Sequence, residues 1–242
     1  MPFIKPCRAA VDNLTEGWLI GPKVSVEMLY RAHRDPDPAP PATPACEKVR
    51  RLWDRRHQRW SAKILPGEIF VTRHDEFIST VLGTGIAVCV RDPVLRIGGM
   101  LLLMVPAPSG LAADEAAEAA DLATRHGRND LERLIDEVTN LGACRSRLKA
   151  KMFGGGRDFS GISDAAANTI ALARRFLREQ GLPLVEEKLG DRHPRRVMYF
   201  PNNGTALVTR LPPRYAASVA SRETQYLNRL CGVPAAASHL SG

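Results

Sequence analysis

Between residues 69 and 105 apolar runs of strand length alternate with turn residues, a pattern that leaves little choice but a sheet. The runs are Ile69 to Arg73, Phe77 to Val81, Ile86 to Val90 and Ile97 to Val105, and Arg73-His74-Asp75 and Arg91-Asp92-Pro93 punctuate them. Such stretches, rich in Ile, Val and Leu, are too short for amphipathic helices and long enough for strands. The longest greasy stretch, Met100 to Pro106, has the length of a buried strand and falls far short of the roughly 20 residues a membrane-spanning helix needs. Downstream the period changes. Leu131, Leu134, Ile135, Val138 and Leu141 recur at helical spacing and stop at Gly142, and Ala165 to Gln180 predicts a second helix with Ile170, Ala173, Phe176 and Leu177 inward and Gly181 as its end. Arg147 to Phe153, Pro183 to Glu187, Val197 to Phe200 and Thr205 to Leu211 are predicted strands. Strands first, then helices interleaved with more strands, predict an α/β fold with a sheet covered by helices.

The flanks differ from this central region. Residues 35–45, DPDPAPPATPA, hold five prolines and predict an extended linker, so 1–46 is expected to be a flexible Pro-rich extension. Residues 47–63, EKVRRLWDRRHQRWSAK, place Val49, Trp53 and Trp60 near one helical face among five arginines, which predicts a basic amphipathic helix packing its tryptophans on the core. The stretch 212–242, with Pro212, Pro213 and a small-residue run at its end, is expected to be a mobile tail. Of the net charge of +8, +5 lies in 1–63, +1 in 64–210 and +2 in 211–242, so the folded region is nearly neutral and nucleic acid is an unfavoured partner.

Cys7, Cys46, Cys89, Cys144 and Cys231 are odd in number and scattered without zinc-ligand spacing, which predicts reduced thiols and no metal site. Cys89 and Cys144 read as small buried hydrophobes. His74, His126 and His193 fall among turn and loop residues and are expected to be exposed, while His33, His57 and His239 lie in the flanks. Gly154-Gly155-Gly156 lacks the residues of a phosphate loop and reads as a turn, so no cofactor is expected. The N-terminus has no apolar block followed by a small-residue cleavage site, and a cytoplasmic location is expected.

Three ordered stretches carry a resemblance. ILPGEIFVT at 64–72, with TVLGTGIAVCVRDP and GGMLLLMVP after it, is similar to LPGEYYVT, TxLGSCVAVCLxDP and GGMxHxMLP; LGACRSRLKAKMFGGG at 141–156 and LGDRHPRRVMYFPNNG at 189–204 follow. These resemble the CheD family, the chemoreceptor glutamine deamidases, over roughly residues 50–210, with the domain proper expected at 64–211. The resemblance implies a three-layer α/β sandwich with a mixed sheet covered by helices. It implies methyl-accepting chemotaxis receptors as partners and, for some members, a CheC-type phosphatase. A further family turn, IG-x-x-N, survives loosely as Ile162, Ser163 and a displaced Asn168.

The resemblance also implies where the chemistry would sit. The family's Cys nucleophile falls on Gly85, its His base on Leu102, and an assisting Thr on Ser79; Thr84, Gly83, Gly98, Gly99, Gly154 and Gly155 are expected to line the site. Deamidation needs a nucleophile, a proton carrier and oxyanion donors, and Gly85 and Leu102 supply neither of the first two. Losing such a pair costs on the order of a millionfold in rate. The expected protein is therefore a pseudoenzyme that acts by receptor or partner binding. One alternative is an active deamidase that recruits Cys89, roughly 13 Å along a strand from Gly85, or Thr84; another is a basic adaptor that engages RNA or membrane through 47–63.

Overall fold

The computed structural model describes residues 37–107, 113–156 and 163–230, and every element below belongs to the unit that begins at Ala39. Residues 1–36 of the expected extension, Ile162 of the loose turn, and the end of the tail from Cys231 lie outside the described residues.

Among the described residues ten strands form two five-stranded sheets. β1 (Arg50–Asp54), β2 (Arg59–Lys63), β4 (Phe77–Leu82), β9 (Arg195–Phe200) and β10 (Thr205–Arg210) make the first, in the order β1-β2-β4-β9-β10. β3 (Ile69–Thr72), β5 (Ile86–Asp92), β6 (Ile97–Leu103), β7 (Lys149–Gly154) and β8 (Leu184–Leu189) make the second, in the order β3-β6-β5-β7-β8. Both are mixed, with parallel β2–β4 and β7–β8 pairs among antiparallel neighbours. Helices α1 (Ala113–Asn140) and α2 (Ser163–Glu179) cover the second sheet, packing chiefly on β3, β5 and β6. The result is the expected α/β sandwich, in layers of sheet, sheet and helices. Every residue of β6 is buried, and all of β5 but Arg91, because this sheet is covered on both faces; that is why these strands read as continuous apolar runs. β10 alternates between half-buried and exposed residues, as an outer strand should. The main core cluster includes Ile78 and Tyr199 of the outer sheet, Val88 and Leu101 of the middle sheet, and Leu134 and Phe176 of the helices.

The segment expected as a basic helix is instead the β1–β2 hairpin. Trp53 pairs with Trp60 across it, ring edge to ring face at 5.9 Å between centroids. Asp54 holds the turn by accepting from the His57 N–H at 2.9 Å. The tryptophans are seven positions apart, which fits two helical turns as well as a hairpin centred between them; pairing with β4 decides in favour of the strand. Arg51 is bound to Glu76 at 2.5 Å and Arg59 to Asp75 at 2.9 Å, so two of the five arginines are matched by carboxylates. The linker closes with a single 3-10 turn at Pro44–Cys46.

Three further expectations are corrected. Residues 213–230 of the tail are ordered as a 3-10 turn and helix α3 (Ala216–Leu230), which buries Val219, Glu223, Tyr226 and Leu227. His126 lies within α1, beside Asp130, because α1 starts well upstream of its apolar repeat. Gly127 is needed there: a Cβ would stand 2.5 Å from Leu172 Cδ2 and 2.7 Å from Val105 Cγ1, so the glycine lets the two helices and β6's extension close up. Cys144 is half-buried, its sulfur 3.2 Å from the Ser146 hydroxyl, rather than a core hydrophobe.

Asp92 ends β5 with its side chain fully buried. It accepts from the N–H of Val94 (2.9 Å), Leu95 and Cys144 (2.9 Å), and from Arg147 at 2.6 Å. The Arg147 guanidinium, aided by these N–H groups and opposed by burial, holds the carboxyl well below the usual carboxylate range. A depressed folded value means that the stabilisation is present above the ordinary value near 3.9 and is lost as pH falls. Asp92→Asn is therefore expected to cost about 2 kcal/mol near neutrality. The gap between the thermal melts of the two proteins should narrow progressively as the pH falls below about 4; a constant gap would mean that the charge does not matter.

Candidate functional site

The turn Gly83-Thr84-Gly85 carries β4 of the outer sheet into β5 of the middle one, so it sits at an edge where the two layers meet. Its carbonyls and N–H groups are used separately. The carbonyls of Gly85 and Gly83 accept from the N–H of Gly155 (2.9 Å) and Gly156 (2.8 Å), at the end of β7. The N–H groups converge on the carboxylate of Glu223 in α3. Gly83 donates to Oε1 at 2.8 Å, Gly85 to the same oxygen at 3.3 Å, and Thr84 to Oε2 through its N–H at 2.8 Å and its hydroxyl at 2.9 Å. Successive backbone N–H groups aimed at one point form an anion-binding nest. Here the anion is the protein's own side chain, 2% exposed.

Gly85 and Leu102 share one place. An ideal Cβ on Gly85 would lie 3.1 Å from Leu102 Cδ1, 2.8 Å from Met104 Cγ and 3.2 Å from Met104 Sδ. The surroundings of that position are thus a thioether and a leucine, neither of which carries a proton. Met104 packs in turn against Tyr226 and Leu227 of α3, with Leu230 beside them. Burial, with Asp130's charge behind it, pushes the Tyr226 phenol up to about 12, so it stays neutral.

Of the residues expected to line the site, Thr84 and Gly83 belong to the nest, and Gly154 and Gly155 back it. Gly98 and Gly99 do not. They pair with Arg91 and Val90 near the far end of β5, and a Cβ on either would meet neighbouring backbone oxygens at 2.6 and 2.7 Å, so they are packing positions. Ser79 lies on β4, its hydroxyl 3.2 Å from that of Ser61. Cys89 is fully buried between Met100 and Lys151, and burial raises its thiol well above the ordinary range. His74 and His193 both sit in bends, His74 half-buried and His193 exposed. Arg195 is buried, donating to the Gly154 carbonyl at 2.5 Å, whereas its neighbour Arg196 faces outward. Among the described residues no group of three or more His, Cys, Asp or Glu could hold a metal ion.

Glu223, Met104 and Tyr226 were not expected from the sequence. The signal for α3 was a stripe at Val219, Glu223, Tyr226 and Leu227, spaced i, i+4, i+7 and i+8, with a carboxylate where the period asks for a hydrophobe. Beside α3 runs an open cleft of about 510 Å³. Tyr215, Ser218 and Arg222 line one side, and Lys63, Ser79 and Arg196 are among the residues opposite.

Comparison with known proteins is consistent in what it returns. The family model described as CheD chemotactic sensory transduction matches residues 104–210. A probable chemoreceptor glutamine deamidase CheD of Halorhodospira halophila is 39% identical over 191 residues, covering 79% of this chain and 88% of the relative. Proteins of the same description from Hahella chejuensis and Hydrogenovibrio crunogenus are 37% and 40% identical, over 84% and 71% of this chain and 94% and 88% of theirs.

Proposed function

This chain belongs to the CheD family, and from that premise we propose that it binds chemoreceptors at the nest beside Gly85 while its own glutamine deamidation is lost. The observation that carries this reading is the composition of the pocket around the missing Gly85 side chain: Leu102 and Met104 fill it, and a carboxylate occupies the turn's N–H donors. The turn keeps N–H donors of the kind an oxyanion needs, but neither a thiol nor an imidazole stands at positions 85 and 102, and the carboxylate that is present engages those same donors. Neither substitute fits. The Cys89 thiol is locked in the core in its protonated form, and the Thr84 hydroxyl's partner, Glu223, is a buried carboxylate that already takes the N–H groups of Gly83, Thr84 and Gly85 which an oxyanion would need. Among the described residues no helix is long and apolar enough to cross a membrane, and the proposed location is the cytoplasm, where the receptors' signalling segments lie.

The test pairs binding with turnover. Purified protein is incubated with a receptor cytoplasmic fragment; ammonia and the Gln-to-Glu mass change are followed, and calorimetry reads binding. Saturable binding without turnover is the expected result. Deamidation at the rate of a Cys-containing family member would sink the inactive reading, and absence of binding would sink the receptor reading.

A further inference from the structure

Glu223 is an odd residue to find in the middle of a buried helical stripe. Burying a carboxylate is costly unless every lone-pair direction is matched, and here the matching donors are not general polar surface but three consecutive N–H groups and a hydroxyl of one turn. Glycine at 83 keeps the approach open: a Cβ there would meet Glu223 Oε2 at 2.7 Å and Val219 Cγ1 at 3.1 Å. The nest is therefore shaped for a planar, two-oxygen or oxygen-and-nitrogen group at the end of a short side chain. Glutamate is also what deamidation of glutamine leaves behind, and a glutamine carbonyl could accept from the Gly83 and Gly85 N–H groups as Oε1 of Glu223 does. The occupant arrives on a helix, flanked by Val219, Tyr226 and Leu227, and the open cleft beside α3 gives a second helix room to approach. Lys63, Arg196 and Arg222 on that cleft favour an acidic flank on the newcomer.

We propose that α3 is a cis occupant of this nest, its Glu223 holding the Gly83–Gly85 N–H groups until a helix that presents a glutamine or glutamate side chain displaces it. The partner's identity rests on the receptor reading above; the nest and its cis occupant do not. Affinity for any trans helix is lowered by the fraction of molecules in which α3 is seated, so releasing α3 raises it.

Two full-length proteins, wild type and Glu223→Ala/Tyr226→Ala, are titrated with a fluorescent peptide of residues 213–230, then with a receptor cytoplasmic fragment. The double variant is expected to bind the peptide about tenfold or more tightly than wild type does. The peptide carrying Glu223→Gln should bind within a few-fold of the parent, and the one carrying Glu223→Ala should lose most of the affinity. Equal peptide binding by both proteins, or indifference to the peptide's residue 223, overturns the cis-occupied nest. Peptide binding that follows expectation while the receptor fragment binds neither protein overturns the receptor as partner instead. Should the double variant fail to fold, hydrogen exchange on wild type decides: amides of 216–230 lose protection on adding saturating receptor fragment if α3 is displaced, and unchanged protection in the bound state overturns displacement.

Discussion

Gly154→Ala is expected to lower the unfolding free energy by on the order of 4 kcal/mol, the largest stability effect of any single methyl added to this fold. The position has φ +118°, a conformation that L side chains rarely adopt, and this contributes roughly 1–3 kcal/mol. The added Cβ would also stand 2.4 Å from the Gly85 carbonyl oxygen and 3.0 Å from Ile86 Cα, which are backbone atoms that cannot rotate aside. Relieving that clash adds a similar amount. Because β7 would be pushed off the back of the nest, Gly155 and Gly156 would lose their grip on the carbonyls that orient the 83–85 N–H groups. Gly190→Ala separates the two contributions, since its φ is +77° and nothing lies within 4 Å of the new Cβ. It should cost only about 1–2 kcal/mol. Denaturant unfolding reads both; equal losses would show that the approach of Gly154 to Gly85 is unimportant.

How much of this was legible in the sequence follows from what each segment packs against. β5 and β6 are covered on both faces, so their apolar runs state their identity outright, and the helices over Leu131–Val138 and Ala173–Leu177 show a clean one-sided period. The β1–β2 hairpin was hidden by a coincidence of spacing: Trp53 and Trp60 fit one helix face as well as one cross-strand pair, and only partnership with β4, distant in sequence, selects the strand. The start of α1 was hidden because its first half packs lightly through small residues and a glycine. Helix α3 was the deepest loss. Two prolines and a run of alanines and serines argue for a tail, and Glu223 interrupts the apolar stripe that would have argued against it. That carboxylate faces inward only because a nest of N–H groups, folded from residues some 140 positions away, is there to receive it. Sequence placed Gly85 and Leu102 together by resemblance; the atoms crowding a side chain at 85 are Met104's, and the turn's N–H groups are taken by a helix it did not expect.

Those atoms decide the outcome of a repair. Gly85→Cys with Leu102→His places a thiol and an imidazole in the right neighbourhood, yet the pair is expected to remain silent. The new Cβ at 85 would lie 2.8 Å from Met104 Cγ, so the thiol would be forced off its rotamer, and the donors that should hold an oxyanion would still be bonded to Glu223. The nearby carboxylate would also hold the thiol in its protonated, unreactive form. Adding Met104→Ala makes room and Glu223→Ala frees the nest. The fourfold variant is then expected to release ammonia from a receptor fragment at least about a hundredfold faster than the twofold one, a partial recovery of the roughly millionfold that such a pair supplies. Single-turnover ammonia release with mass spectrometry of the fragment measures both. Turnover by the twofold variant alone would mean that Met104 and Glu223 do not obstruct the site, and silence of a folded, fragment-binding fourfold variant would mean that the turn no longer presents its N–H groups to a reacting amide.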